Sequence, residues 1–421
     1  MKNQILKSLS LLSIGLILTY CSDKEISCLI KGRVIGRSSD TIILYKATDD
    51  IRFAKIMIPI RDSIFQYRLI IPQTEAYYLT FKDELDQGAW KPILIFPEKG
   101  EMNCRLYSSN DFKKNQIFGS KLNSEWDDYQ RTLENTFMPR YQVINDSSLA
   151  LRKRNKYYSE EMISFQLKIK NAKESKTRLQ ISSKIDSLRS TNNDLSPDAK
   201  KINDQMNNLS LEMNQWKYNY ISKNPSILTY YFLIKDLLSI KHSNININDI
   251  LKNRDLFLKE FPNHPYNQLV QTLLESEDKI KIGGTFIDFS APDINGKIFR
   301  LSDLIKDKVA LIDLWASWCG PCILTSRSMI PIYEEFKNFG FTICGVAAEI
   351  KNTDQMINTI EREKFPWINL VDLDHKNQIW NKYGIPNAGG GTFLLDRDGK
   401  ILAINPDPVE VKSILTEKLK K

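Results

Sequence analysis

The sequence predicts a multidomain protein with an N-terminal antiparallel β domain, a central α-helical region and a C-terminal α/β domain. From Cys28 to Gly119, short segments rich in β-branched and aromatic residues alternate with turn residues. No glycine occurs between Gly119 and Gly283, and beyond Gly283 strand-like and helix-like runs alternate. A chain of 421 residues has room for two or three domains of ordinary size.

The composition is that of a globular protein and argues against nucleic-acid binding. Apolar residues make up 42% of the chain, which is enough for packed cores, and charged residues make up 26%. The net charge of +8 comes from lysines dispersed among acidic residues, with one short basic cluster at residues 152–156. Because no basic patch is interleaved with aromatic residues, we expect no nucleic-acid partner.

Residues 1–21 have the pattern of a signal peptide. Lys2 and Lys7 precede an apolar stretch, Leu9 to Leu18, that is too short to span a bilayer. The segment ends in Leu18-Thr19-Tyr20-Cys21, which resembles a bacterial lipoprotein signal. That resemblance implies lipidation of Cys21 and attachment to a membrane. A plain cleaved signal peptide is the alternative.

Residues 22–119 are predicted to form a small antiparallel β-sandwich, because their strand-like segments are short and regularly spaced. This segment contains no cluster of catalytic residue types, so we expect a docking or spacing role.

In an exported protein a disulfide persists, and Cys28, Cys104 and Cys344 remain after the other cysteines are assigned below. Because three is an odd number, at least one of these thiols stays unpaired or finds an outside partner. A disulfide between Cys28 and Cys104 is an open alternative.

Residues 120–280 are predicted to be helical, since glycine, a common helix breaker, is missing and apolar residues recur at helical spacing. Breaks are expected at residues 192–197 and at residues 224–226, where Asn, Pro and Ser cluster. Two interpretations are open for this region: a helical spacer, or an arm that binds substrate.

Residues 281–421 contain the most informative stretch, Val309 to Cys322. A continuous apolar run, interrupted only by Asp313, predicts a strand that is buried on both faces and ends in Cys319-Gly320-Pro321-Cys322. Two thiols at this spacing suit reversible disulfide chemistry, and a helix that starts beside them favours a thiolate. A zinc site would need two more ligands, and the other cysteines and the three histidines are scattered, so no metal is expected.

This stretch resembles the active-site segment of the thioredoxin superfamily. The matching positions are Asp313, Trp315, Ala316, Trp318 and residues 319–322, and residues 289–297 resemble the hairpin that opens the redoxin branch, which includes the ResA and TlpA types and the peroxiredoxins. The resemblance implies a thioredoxin fold with a mixed sheet and helices on both faces. The β domain in turn resembles the uncharacterised one that precedes thioredoxin-like domains in exported proteins of Bacteroidota.

The same resemblance assigns roles to the residues of the motif. Cys319 would be the nucleophile and Cys322 the less exposed resolving thiol, with Asp313 as proton acceptor for Cys322. A structural carboxylate held by a lysine is the alternative for Asp313. The expected redox group is the Cys319–Cys322 disulfide itself, with no other cofactor.

Substrate binding is expected at Trp318, Gly320, Pro321, Gly389 and Gly390. The superfamily places a cis-proline three residues before the phenylalanine of the late strand, and here that position is Gly390. Pro386 comes four residues earlier. Glycine adopts unusual backbone angles, so the loop would still present its backbone to a bound peptide.

The expected function is that of an exported thiol–disulfide oxidoreductase, a cell-envelope lipoprotein facing the periplasm or on the outer membrane. Its expected partners are disulfide-bearing proteins and a membrane thiol donor. A thiol peroxidase is a weaker alternative, because the positions that carry Pro and Thr or Ser in peroxiredoxins are Ile312 and Ala316 here. A binding module with a redox-idle thioredoxin domain is the third hypothesis.

Overall fold

A computed structural model of the protein describes residues 25–52, 55–240, 245–385 and 389–419. Strands predominate up to Phe118, helices from Lys121 to Lys279, and the two alternate from Ser290 onward. The predicted succession of β, α-helical and α/β parts is confirmed. The predicted signal segment 1–21, with Cys21, lies outside the described residues.

Two four-stranded sheets form the N-terminal β-sheet region. Their orders are β4-β1-β7-β8 and β3-β2-β5-β6, and the pairings are antiparallel except for the parallel pair β1–β7. Apolar side chains from both sheets share one core, as expected for a sandwich. The elements are β1 Ile26–Ile35, β2 Thr41–Lys46, β3 Ile56–Pro59, β4 Ile64–Ile71, β5 Tyr77–Phe81, α1 Lys82–Asp86, β6 Ile93–Ile95, β7 Gly100–Tyr107 and β8 Gln116–Phe118.

Cys28 and Cys104 are both buried in this core as free thiols. Cys28 lies opposite Gly100 and Cys104 opposite Gly32 in the parallel pair β1–β7. Four residues of strand therefore separate them, or about 13 Å, whereas a disulfide joins Cα atoms less than about 7 Å apart. The alternative of a Cys28–Cys104 disulfide is wrong.

The helical region packs against the sheets instead of standing apart from them. Tyr266 Oη accepts a hydrogen bond from the backbone N–H of Ala76 at 2.8 Å, and the hydroxyls of Tyr78 and Tyr231 lie 2.8 Å apart. Ser196 and Ser226 cap the helices that follow the two predicted breaks. The helices are α2 Lys121–Thr136, α3 Met138–Lys153, α4 Glu160–Asn171, α5 Ser175–Ser190, α6 Pro197–Lys223, α7 Ile227–Leu238, α8 Ile247–Glu260 and α9 Tyr266–Lys279.

The C-terminal α/β domain is built on a five-stranded sheet of order β13-β12-β11-β14-β15. The central strand β11 is buried along its whole length, parallel to β12 and antiparallel to β14. Apolar cores cover both faces, as the sequence predicts. The elements are β9 Ser290–Pro292, β10 Ile298–Arg300, α10 Leu301–Ile305, β11 Val309–Trp315, α11 Gly320–Phe336, β12 Phe341–Ala347, α12 Asp354–Glu363, β13 Ile368–Val371, α13 Ile379–Lys382, β14 Gly391–Leu395, β15 Ile401–Ile404 and α14 Pro408–Leu419.

Helix α13 is a short helix, Ile379–Lys382. Asp374, His375 and Gln378 adopt positive φ angles, which end regular helix, and α13 begins only at Ile379. The buried carboxylate of Asp372 accepts the backbone N–H groups of Asn377 and Ile379, at 2.8 and 2.9 Å. These hydrogen bonds satisfy the backbone N–H groups of the turn, so no longer helix is needed to pair them.

Within the ranges that the structure describes, no helix combines the length and apolarity that crossing a membrane requires.

Candidate active site

The two cysteines of the motif lie where β11 ends and α11 begins. Cys319 is the residue that caps α11, and its Sγ accepts the backbone N–H of Cys322 at 3.3 Å. Pro321 occupies the first turn of α11, where its missing N–H costs no hydrogen bond. The N–H of Cys322 at the helix N-terminus therefore points at the sulfur of Cys319, where this N–H and the helix dipole would stabilise negative charge.

Cys319 and Cys322 form a disulfide, with Cα atoms 5.3 Å apart. Cys319 is only 8% exposed, whereas Cys322 is half-buried. The expectation that Cys322 is the less exposed of the two is wrong. Cys319 follows Trp318, and Arg52 of the β-sheet region lies over the indole of Trp318.

Asp313 is a buried carboxyl in the middle of β11, and it is 2% exposed. Burial raises its pKa to about 7, against the opposing effect of a hydrogen bond from Ser326 Oγ, which lies 2.6 Å from Oδ2. The same hydroxyl is 3.0 Å from the backbone carbonyl oxygen of Cys322. The partner of Asp313 is thus a serine of α11, not the lysine of the alternative interpretation, and the serine connects the carboxyl to the helix that carries Cys322.

A second buried carboxylate, Glu349, holds the turn that precedes Cys319. It accepts the backbone N–H of Ser317 at 2.8 Å and the Ser317 hydroxyl at 2.7 Å. Burial raises the pKa of Glu349. Trp318 Nε1 donates to the carbonyl oxygen of Ala348 at 3.1 Å, so two residues in succession tie the turn to the end of β12.

Gly390 passes directly over the disulfide. A Cβ at this position would lie 2.2 Å from the Leu314 carbonyl oxygen and 2.8 Å from Cys322 Sγ. Only glycine allows so close an approach of the backbone without a rearrangement. The described residues contain no cis peptide bond, and Pro386 lies outside them.

A cavity of about 750 Å³ opens in front of the cysteines. Every residue predicted for catalysis or substrate binding in this domain lines it: Asp313, Trp318, Cys319, Gly320, Pro321, Cys322, Gly389 and Gly390. The sequence analysis missed the far wall, formed by residues 405–408, and Arg52. Pro406 and Pro408 are turn signals within residues 405–408. Nothing in the sequence around Arg52 connects this arginine with a site more than 250 residues further along the chain.

Among the described residues, no group of three or more His, Cys, Asp or Glu side chains is placed to hold a metal ion.

Comparison with known proteins decides the family. Residues 282–404 match the model of the AhpC/TSA family. The thiol-disulfide oxidoreductase ResA of Bacillus cereus (strain ATCC 10987 / NRS 248) is 30% identical over 159 residues, which is 36% of this chain and 85% of that protein. The chain belongs to the ResA family of thiol-disulfide oxidoreductases. The ResA of Bacillus subtilis (strain 168) is 27% identical over 139 residues, or 32% of this chain and 73% of that protein.

Solved structures match the same part of this ResA-family chain. The thioredoxin domain of a thiol-disulfide oxidoreductase from Bacteroides vulgatus is 25% identical and covers 34% of this chain and 100% of that chain, with a TM-score of 0.31. The predicted enzyme class, thiol–disulfide oxidoreductase with a thioredoxin-like domain, is confirmed by the ResA relatives. The ResA of Bacillus cereus and the Bacteroides vulgatus domain each match about a third of the chain.

Proposed function

We propose that this ResA-family protein reduces the disulfides of other proteins outside the cytoplasm, with Cys319 as nucleophile and Cys322 as resolving thiol. The observation that carries the proposal is the position of Cys319 Sγ at the N-terminus of α11, disulfide-bonded to Cys322 at the floor of an open cavity. A sulfur in this position ionises more readily than an ordinary thiol, and the thiolate is the form that attacks a disulfide.

The reaction starts from the reduced dithiol. The Cys319 thiolate attacks one sulfur of the substrate disulfide; that S–S bond breaks, a mixed disulfide forms and one substrate thiolate leaves. Cys322 then gives up its proton, attacks Cys319 Sγ and displaces the second substrate thiolate. The substrate gains two electrons, and the enzyme is left with the Cys319–Cys322 disulfide seen in the structure. A dithiol donor must return the enzyme to its reduced form, and we propose a donor in the membrane.

Asp313 is the proposed acceptor of the Cys322 proton. It lines the same cavity as Cys322, and the carboxyl has a pKa of about 7, so near neutral pH it is divided between its charged and neutral forms. A group in that state accepts and returns a proton without a large energetic cost. Ser326, bonded to Asp313, fixes the orientation of the carboxyl.

The cavity supplies the proposed binding surface for the substrate polypeptide. Trp318 and Pro321 offer apolar contact on one side, and on the other Gly389 and Gly390 bring bare backbone to the disulfide. An extended peptide pairs with an exposed backbone segment of this kind.

The decisive experiment is a trap. In Cys322→Ser the first step proceeds and the second cannot, so the variant should accumulate mixed disulfides through Cys319 when it is incubated with exported-protein extracts. Cys319→Ser and Cys344→Ser are the matched controls. Cys319→Ser should trap no substrate. Cys344→Ser alters a buried thiol and should reduce disulfides as the parent protein does. If Cys322→Ser forms no adduct, the reductase proposal is refuted and the binding-module interpretation gains support.

The thiol-peroxidase alternative has less support from the site. The peroxiredoxin positions are occupied by Ile312 and Ala316, which are buried apolar residues of the sheet and the turn after it. Neither side chain can hydrogen-bond to a peroxide. Peroxide consumption by the purified protein with dithiothreitol tests this directly, and rapid consumption would favour the alternative.

We also propose that the protein is exported and anchored to the cell envelope by a lipid on Cys21. The basis is the sequence of residues 1–21. Metabolic labelling with a fatty-acid analogue should mark the protein, and Cys21→Ser should abolish both the label and its recovery with membranes. Equal labelling of Cys21→Ser would refute lipid attachment at this residue.

A further inference from the structure

Among the described residues of the β-sheet region, Arg52, in the turn after β2, lines the active-site cavity. Asp50 is buried, and its carboxylate accepts both the backbone N–H of Arg52 at 2.8 Å and Nε of the same residue at 2.9 Å. This two-point contact fixes the plane of the guanidinium. Arg52 is thus held in one orientation by its own turn.

The guanidinium of Arg52 lies over the indole of Trp318, with its central carbon 3.4 Å from the ring centroid. The indole is also held by its hydrogen bond to the carbonyl oxygen of Ala348 and by contact with Trp380, whose ring centroid is 5.9 Å away. A cation on the face of a tryptophan is attracted by the ring electrons. The contact therefore joins two parts of the chain that are far apart in sequence, directly beside Cys319.

Arg52 is also a wall of the redox cavity. Trp318, Gly389 and Gly390 line the same cavity, and the two glycines have no side chains to move aside. Among these residues, Arg52 and Trp318 are the ones with bulky side chains that can restrict entry to the cleft. Cys319, at the bottom, is 8% exposed.

We propose that Arg52 is a specificity-determining residue of the redox reaction: braced by Asp50 against Trp318, it narrows the cleft over Cys319, so that disulfides on extended, flexible segments enter more readily than disulfides on bulky folded surfaces. This rests on the proposed function, and it gives the β-sheet region a part in substrate selection. Arg52 takes no part in the electron transfer itself.

The test measures access to Cys319 by reagent size, in the reduced protein with Cys322→Ser as background. The rate of modification at Cys319 is followed by mass spectrometry of its peptide, with iodoacetamide as small probe and a polymer-linked maleimide as large probe. Both probes react with the thiolate at about pH 7, so the ratio of the two rates cancels differences in the pKa of Cys319 between variants. Arg52→Ala should accelerate the large probe by about tenfold, the factor expected for loss of one such closing contact, and the small probe by less than about threefold.

Matched variants separate this effect from a general loosening of the fold. Arg105→Ala removes an exposed arginine that lies over Phe118 on the same region, at 5.5 Å from the ring, and should leave both rates unchanged. Asp50→Ala should accelerate the large probe as Arg52→Ala does, because it removes the acceptor that holds Arg52 in place, and Arg52→Lys should restore part of the restriction. Circular dichroism checks that each variant is folded.

In turnover, Arg52→Ala should lower KM for insulin, a folded protein disulfide, by a larger factor than KM for glutathione disulfide. Equal acceleration of both probes, or none, in a folded Arg52→Ala protein would overturn the inference. The labelling does not require turnover. An inactive parent protein would therefore refute the proposed function, and the labelling result would still decide whether Arg52 narrows the cleft.

Discussion

Replacement of Asp313 by asparagine offers a direct test of the buried carboxyl. The side chain is fully enclosed between the sheet and α11, and Ser326 Oγ donates to it at 2.6 Å. Asparagine has almost the same shape and keeps an oxygen that can accept this hydrogen bond. The substitution thus removes the titration and leaves most of the packing as it is.

The expected magnitude follows from the pKa of Asp313, which burial raises from 3.8 to about 7 in the folded protein. Between these pH values the folded state binds a proton that the unfolded state has lost, so the stability of the parent protein falls as the pH rises through this window. A shift of about three pKa units corresponds to about 4 kcal/mol. Asp313→Asn has no proton to bind in this pH window, so its stability should not fall there. The stability of the variant relative to the parent should therefore rise by up to about 4 kcal/mol between about pH 4 and pH 8.

Hydrogen exchange measured by mass spectrometry on peptides from β11 is the suitable assay, because it reports the opening of this strand in a multidomain protein. The ratio of parent to variant exchange rates at each pH cancels the chemical pH dependence of exchange. That ratio should rise by up to about 10³-fold between about pH 4 and pH 8. The oxidised protein is used, so that the cysteines do not titrate.

A ratio that stays constant across this pH range would refute the reasoning, since it would mean that the Asp313 carboxyl titrates as an exposed one does. A second measurement tests the chemical role. With Asp313→Asn the mixed disulfide on Cys319 should persist longer, by about 10²-fold at neutral pH, as expected for loss of a proton acceptor. An unchanged lifetime would show that Cys322 loses its proton to another group.

Two further substitutions test the surroundings of the disulfide. Gly390→Ala should destabilise the protein by about 2 kcal/mol or more and slow the reduction of protein disulfides, because its Cβ would lie 2.8 Å from Cys322 Sγ. Gly389→Ala is the control, because a Cβ at Gly389 would have no neighbour within 4 Å. Both variants are measured by thermal unfolding and by insulin reduction. Equal effects of the two substitutions would contradict this prediction. Glu349→Ala should cost about 1–3 kcal/mol and slow turnover, because the N–H of Ser317 loses its acceptor. Glu349→Gln keeps an acceptor and should retain most of the stability and of the turnover rate. If Glu349→Gln loses as much stability and turnover as Glu349→Ala, the charge of Glu349 matters and not its hydrogen bond.

Local sequence signals were enough for the redox centre. The apolar run of β11, the helix start at Pro321 and the spacing of Cys319 and Cys322 are all properties of one continuous segment. Strand burial and helix capping depend on neighbours a few residues away, so they can be predicted without the rest of the fold. The single carboxyl in that apolar run, Asp313, stood out for the same reason.

Other features depended on segments that meet only in three dimensions. Ser326 is an ordinary polar residue of a helix until the packing of α11 on β11 places its hydroxyl against Asp313. The short α13 depends on Asp372, whose carboxylate accepts N–H groups that a longer helix would have used. Neither pairing has a signature in the local sequence pattern.

The sequence by itself determined the order of the three parts of the chain, the redox pair and the helix that begins beside Cys319, because these depend on residues close together in the chain. Only the tertiary structure decided that Cys319 is the more enclosed of the two cysteines. It also decided that Arg52 lies on Trp318, the neighbour of Cys319, where one region packs on another. Contacts of this kind depend on the shape of both surfaces, and no local pattern of residue types encodes that shape.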